Sequence, residues 1–188
     1  MVFLESVLNG NFSVIISATQ LQVNEFHRQF SKLWYCWKAE CGVQGEVQMT
    51  QAEFSNGGRV LTRTSSENTP RGLHEAAILI YSEAAKIPDE VYSTVEPVRF
   101  IGKGRKVAES TPCGKRGWFW EEWNAANKGG WKRKHIPWTQ CPRLPPEEVE
   151  QYARSRGELM ARQEFGAQFL DIIAGNPFDL ERWENMRE

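Results

Sequence analysis

The run Ala76-Ala77-Ile78-Leu79-Ile80-Tyr81 constrains this chain more than any other segment. Its six residues are apolar without alternation, so neither face of the segment is written for water. A strand of that kind belongs at the centre of a parallel sheet, with cover on both sides. It ends abruptly in the polar pair Ser82-Glu83, and Pro88-Asp89-Glu90 then opens a short helix, with proline early and acids in the first turn.

The rest of the chain reads as alternating strand and helix. Phe12–Ser17 is a β-branched strand after Asn9-Gly10-Asn11. Val23–Trp37 places Phe26, Phe30, Leu33, Trp34 and Trp37 on one helical face. Val47–Phe54 and Arg59–Thr64 read as two strands joined by Ser55-Asn56-Gly57-Gly58, whose Asn-Gly supplies the positive φ of a hairpin turn. Ser65–Gly72 is a polar loop, Val107–Ser110 a short strand, and residues 118–130 a helix ending at Gly129-Gly130. Arg133–Trp138 reads as an edge strand. Pro145-Pro146-Glu147-Glu148 opens a helix that Gly157 breaks, and Leu159–Phe169 begins another. The alternation predicts an α/β fold with a mostly parallel sheet and flanking helices.

At 188 residues the chain is long enough for a real core. No apolar run approaches a membrane span, and Met1-Val2-Phe3-Leu4-Glu5 has no basic n-region or apolar h-region of a secretory leader, so a cytoplasmic protein is expected. Cys36, Cys41, Cys113 and Cys141 lack zinc-site spacing, and His27, His74 and His135 lie far from them in sequence; free thiols and no metal site are expected. Charge is uneven. Residues 99–134 hold ten basic groups against three acidic ones. Such a stretch either tracks phosphates or is a solvated surface. Inside it lies Trp118-Phe119-Trp120-x-x-Trp123, which suits stacking on bases of a single strand or packing as a helix face against the sheet.

In nucleotide-hydrolysing α/β folds a buried strand ends in acids beside the phosphates, one near Mg²⁺ and one at the attacking water. Here that end is Ser82-Glu83, followed by Ala84-Ala85-Lys86-Ile87-Pro88-Asp89-Glu90-Val91-Tyr92. Together with Ser110-Thr111-Pro112-Cys113-Gly114-Lys115-Arg116-Gly117, it resembles the Walker B strand and coupling motif of phage terminase large subunits, the ATPases of DNA packaging. Further matches follow in order. Ser17-Ala18-Thr19-Gln20-Leu21-Gln22 resembles that family's strand-to-helix turn. Phe54–Val60 and Thr69-Pro70-Arg71-Gly72 resemble its hairpin and the loop before Walker B. Cys141-Pro142-Arg143-Leu144, Arg162-Gln163-Glu164-Phe165 and Phe169-Leu170-Asp171 resemble the end of its ATPase domain.

The sequence departs from the family in four places. The P-loop, Gly-x-x-x-x-Gly-Lys-Ser/Thr, is absent, and neither Gly102-Lys103 nor Gly114-Lys115 is followed by Ser or Thr. The Walker B aspartate position is Ser82, and Glu96-Pro97 stands where the family often has Arg-Pro. Asp89, Asp171 and Asp179 do not form the acidic cluster of a two-metal nuclease. The expectation is therefore a partial ATPase core over residues 1–144 with a helical segment over 145–188. It would lack the first strand and P-loop and stop before the nuclease. With the P-loop strand placed between the second strand and Walker B, its loss would leave a gap between buried neighbours and a marginal fold.

The resemblance implies roles residue by residue. Glu83 falls at the catalytic, water-activating glutamate and Ser82 beside nucleotide and metal. Ser110, Thr111 and Pro112 fall in the coupling motif that senses the γ-phosphate. Lys115, Arg116, Lys132, Arg133 and Lys134 are candidate DNA contacts. Arg71 could face a neighbouring subunit's nucleotide, and Gln20 and Gln22 are peripheral. For the full family protein the implied cofactors are ATP and Mg²⁺. The implied partners are double-stranded DNA, the terminase small subunit and the portal protein, in the cytoplasm of a bacterial host, with a separate fragment as one source of the P-loop. Two other readings stand beside this one: a non-enzymatic prophage remnant, and a DNA-binding or adaptor module.

Overall fold

The computed structural model describes residues 1–66, 75–126 and 130–171. Met1–Ser110 and Thr111–Glu188 form two compact units.

The first unit is built on a six-stranded sheet of β1 (Phe12–Ser17), β2 (Gly45–Val47), β3 (Gln51–Phe54), β4 (Arg59–Thr64), β5 (Ile78–Ser82) and β6 (Arg105–Glu109), ordered β2-β3-β4-β1-β5-β6. β1 runs parallel to both β4 and β5, and β5 parallel to β6; only the β2–β3 and β3–β4 pairs are antiparallel. All six residues of β1 are buried, Ser13 and Ser17 included, as suits a central strand. The gap expected beside a missing strand does not exist. β1 pairs residue by residue with β4 on one side and β5 on the other, so the central ladder is closed. Among the described residues β6 is the edge strand at the parallel side of the sheet.

Helix α1 (Gln20–Trp37) covers one face. It starts three residues before the predicted Val23, because Thr19 and Gln22 form a capping box: the Gln22 N–H donates to Thr19 Oγ1, and the Thr19 N–H donates to Gln22 Oε1. Phe30 and Trp34 then pack on Ile15, Ala52, Phe54 and Val60, with the Trp34 and Phe54 rings 5.0 Å apart. This face also carries a buried polar pair. His27 Nε2 and Thr62 Oγ1 lie 2.7 Å apart, joining α1 to β4. The opposite face is met by α2 (Asp89–Val95), whose Tyr92 ring lies 5.4 Å from Tyr81 of β5.

The predicted strand Val47–Phe54 is in fact two, β2 and β3, separated by residues 48–50. The β3–β4 turn is the expected hairpin, but only Gly57 takes positive φ, at 88°; the Asn56 side chain instead accepts from the Gly58 N–H. A second glycine is fixed by packing: a Cβ on Gly104, just before β6, would sit 1.9 Å from the Ala76 carbonyl oxygen. Most of the loop Ser65–Gly72, Arg71 included, lies outside the described residues.

In the second unit α3 (Gly117–Asn124) is shorter than the predicted 118–130, and Lys128 and Gly129 lie outside the described residues. Residues 133–137 take no regular structure and Trp138 opens a short 3-10 helix, Trp138–Gln140, so the segment is not the edge strand expected. α4 (Pro146–Arg156) ends at Gly157, which takes φ 99°, and α5 (Glu158–Glu164) follows, stopping short of Phe169.

Candidate functional site

The C-terminal ends of parallel strands are where open α/β sheets place their ligands, because loops and helix starts converge there. In this chain β5 and β6 end side by side, with Ser82 in register with Glu109. The Ser82 hydroxyl donates to Glu109 Oε1 at 2.6 Å, and the Glu83 N–H reaches the same oxygen at 3.4 Å. One residue further along the chain, Ser110 Oγ accepts from the Ala85 N–H at 3.2 Å. The β5 turn is thus tied at two points to the end of β6.

Glu83 sits in this turn with φ 56° and ψ 47°, a left-handed conformation that a residue with a Cβ adopts only where its surroundings hold it. Its Oε2 atom is buried and lies 3.1 Å from the Lys86 ammonium, in a geometry outside a directed hydrogen bond. Below the turn the Tyr81 hydroxyl donates to Glu96 Oε2. Burial, then the Glu96 charge, drives the phenol far above its ordinary pKa, so it remains a donor. Glu96 also binds Arg99 at 2.6 Å and Lys106 at 3.0 Å.

Sequence reading missed Glu109. Its importance depends on the parallel register that sets it opposite Ser82, and the sole signal in the sequence is an acid immediately before Ser110-Thr111-Pro112. The consequence is chemical. Ser82 brings no charge to the strand end, but the neighbouring strand does: the Glu109 carboxylate meets the Ser82 hydroxyl and the Glu83 N–H there, while the Glu83 carboxylate faces Lys86. Such hard oxygen donors suit Mg²⁺ completed by phosphates rather than by a protein cage. Among the described residues no group of three or more His, Cys, Asp or Glu gathers to hold a metal.

Nucleotide phosphates do not fit these residues alone. They need a nest of backbone N–H groups and a lysine, whereas the strand ends present carboxylates. Gly102-Lys103 precedes β6 at the opposite end of the strand. Lys115, of Gly114-Lys115, is ion-paired with Asp171 at 2.5 Å.

The candidate DNA contacts separate into two groups. Arg133 points inward, donating to the carbonyls of Glu122 and Ala125. Arg116, Lys132 and Lys134 are exposed, the last two flanking the half-buried Arg133. Thr111 and Pro112 begin the second unit, with Pro112 buried. Of the remaining basic residues, Arg99 and Lys106 are held by Glu96, and Arg105 by Glu5. Gln20 donates to Asn24 on α1.

No protein-family model and no curated protein matches the sequence. Solved structures do match. The large terminase ATPase domain of Thermus phage P74-26 superposes with a TM-score of 0.67 at 22% identity, over 90% of this chain and 80% of that one. An arginine-to-alanine mutant of that domain gives 0.66 at 21%, over 90% and 81%. The chain has the fold of a large-terminase ATPase domain. The large terminase of a second, thermophilic bacteriophage matches with a TM-score of 0.64 at 12% identity, covering 85% of this chain. Against that full terminase the chain spans 40% of the length. Structures of the thermophilic phage's terminase include complexes with ADP and with ATP-γ-S. Among the described residues no helix is long and apolar enough to cross a membrane.

Proposed function

We propose that the chain is the ATPase-domain segment of a phage DNA-packaging motor, and that by itself it does not hydrolyse ATP. The observation that carries this reading is the junction of β5 and β6 within the terminase fold, where Ser82 and Glu83 are tied to Glu109 and Ser110. Nucleotide binding by the thermophilic phage's terminase, a protein of the same fold, supports it. The missing phosphate cradle supports the second half. In this reading Glu83 is the catalytic carboxylate, Ser110 to Pro112 form the coupling segment, and Arg116, Lys132 and Lys134 face duplex DNA.

A phosphate loop would come from a segment outside the sequence given, whether of a longer form of this polypeptide or of another. The outer edge of β6 is its natural seat. A parallel edge strand leaves N–H and C=O groups for one more strand, and the loop after that strand would open beside Glu109. This replaces the expectation of a seat between the second strand and Walker B, where β1 leaves no room. Small subunit and portal protein remain the partners of the assembled motor.

Phosphate release in the presence of duplex DNA tests the reading, using the chain alone and mixed with a polypeptide bearing a strand and a glycine-rich phosphate loop. Background turnover alone and DNA-stimulated turnover in the mixture, abolished by Glu83→Gln, is expected. Turnover by the chain alone would refute its incompetence. No turnover in any mixture would favour a non-enzymatic adaptor, the reading that Ser82 also favours.

A further inference from the structure

The aromatic side chains of α3 are covered by the chain's own later segment. Phe169 places its ring centroid 4.8 Å from Trp120, 5.8 Å from Phe119 and 5.9 Å from Trp123. Two residues on, the Asp171 carboxylate binds Lys115 at 2.5 Å. Lys115 in turn lies 6.0 Å over the Trp120 ring. Residues 168–171 therefore put a flat ring on an aromatic platform and an anion on the adjoining lysine. Exposed Arg116, the residue before α3, adds a second cation at that end. The segment is anchored just upstream, where the Gln168 N–H donates to the Arg162 carbonyl at 3.2 Å, the Arg162 Nε–H to Gln168 Oε1 at 2.9 Å, and the Trp138 N–H to the Phe165 carbonyl at 2.8 Å.

A ring on tryptophan with an anion on the neighbouring lysine is the pattern by which proteins hold a single nucleic-acid strand, base on aromatic and phosphate on cation. We infer that α3 carries a binding site for single-stranded nucleic acid, and that Phe169 and Asp171 occupy it as an internal stand-in for one base and one phosphate. The site is self-blocked until a strand displaces residues 169–171 from their anchor at Gln168. Composition supports the occupant: within the second unit, residues 111–134 carry six basic residues against two acidic ones. A purely structural cover for an apolar helix face would need Phe169 but not the carboxylate on Lys115. The inference does not depend on the ATPase reading, since nothing in it involves nucleotide hydrolysis.

The test is fluorescence anisotropy of the full chain with a labelled oligothymidylate and with a duplex of equal length. Asp171 is the informative position, because its side chain is 80% exposed and Asp171→Asn leaves packing alone. Releasing Lys115 from an exposed ion pair is expected to tighten single-strand binding by about twofold to fivefold. Adding Trp120→Ala is expected to weaken it by about fivefold to a hundredfold, the worth of one stacked base. Lys115→Gln should erase the gain from Asp171→Asn. Phe169→Leu, checked for folding by near-ultraviolet circular dichroism, should also tighten binding; if it unfolds, the Asp171 and Trp120 variants still decide. Unchanged binding by Asp171→Asn, a gain that survives Trp120→Ala, or tighter binding of duplex than of single strand by Asp171→Asn would each overturn the inference.

Discussion

Replacing Thr62 by valine keeps the shape of the β4 core and removes one oxygen, which isolates the polar contact that joins α1 to the sheet. Thr62 is fully buried and His27 is 4% exposed, with 2.7 Å between Oγ1 and Nε2. The variant leaves a buried imidazole nitrogen without its partner, and such a loss costs about 1–3 kcal/mol. The double variant Thr62→Val with His27→Leu removes both polar groups and should recover most of that loss, because replacing both members of a buried pair by apolar groups is close to neutral. Protonation gives a second handle. Burial, helped by the charge of Arg63, holds the His27 pKa below its ordinary value, against an opposing effect of the Thr50 carbonyl. The unfolded chain therefore takes up the proton first as pH falls. Stability that His27 leaves intact at neutral pH is lost from about pH 6.5 down to the folded pKa, with a slope of up to about 1.4 kcal/mol per pH unit, and levels off below it. Urea titrations followed by circular dichroism, at about pH 8 and about pH 5.5, measure both effects. Two results would refute the reasoning. One is Thr62→Val matching the parent within about 0.5 kcal/mol at the higher pH. The other is a stability difference between the parent and His27→Leu that stays constant with pH.

Four further outcomes are expected. Gly104→Ala forces a Cβ to 1.9 Å from the Ala76 carbonyl and should cost at least about 1–3 kcal/mol, read as a lower Tm by calorimetry. Trp34→Ala, at a site 3% exposed against Phe54, should cost about 3–5 kcal/mol in the same experiment. Glu109→Gln should speed amide hydrogen exchange at Glu83 and Ala85 relative to the central residues of β1, and unchanged exchange there would break the link between the two strand ends. Lys132→Gln with Lys134→Gln should reduce the salt slope of duplex binding by about 1.8, two phosphate contacts' worth, whereas Arg133→Gln should lower Tm instead because its guanidinium holds the carbonyls of Glu122 and Ala125.

How far each element could be read from sequence depended on whether its signal was local. β5 and β1 were legible because burial on both faces writes consecutive apolar residues, Ile78–Tyr81 and Val14–Ile16, into the strands themselves. α1 was legible from its aromatic spacing, although its true start lay in the Thr19–Gln22 capping box. β2 was hidden because it is three residues long and exposed at Gly45 and Glu46, with no apolar face to write into the sequence. Arg133–Trp138 imitated an edge strand, since Lys132, Arg133 and Lys134 alternate out, in and out. The inward arginine is satisfied by carbonyls at the end of α3 rather than by a ladder, and alternation alone does not distinguish the two. Glu83 was legible as a strand-end acid, whereas Glu109 was not, because its role is created by the partner strand.

That last difference bears on how a serine at Ser82 can be tolerated where the terminase pattern has aspartate. A lone change from Asp to Ser would strip one charge from the strand end and leave Glu83 as the only acid beside the turn. In this fold the loss is offset one strand away. Glu109 stands in register with Ser82, accepts its hydroxyl proton in a 2.6 Å hydrogen bond, and reaches the backbone N–H of Glu83 with the same oxygen. The Glu109 carboxylate thus stands on the strand that leads into Ser110 and Thr111. A charge carried by β5 alone would respond only to movements of β5. A charge carried by β6 and hydrogen-bonded to β5 ties the ends of the two strands together, with Ser110 adding a second bond to the turn through the Ala85 N–H. What the folded chain shows at Ser82 is therefore a polar link, in which the end of β5 and the turn at Glu83 are hydrogen-bonded to Glu109 and Ser110 at the end of β6.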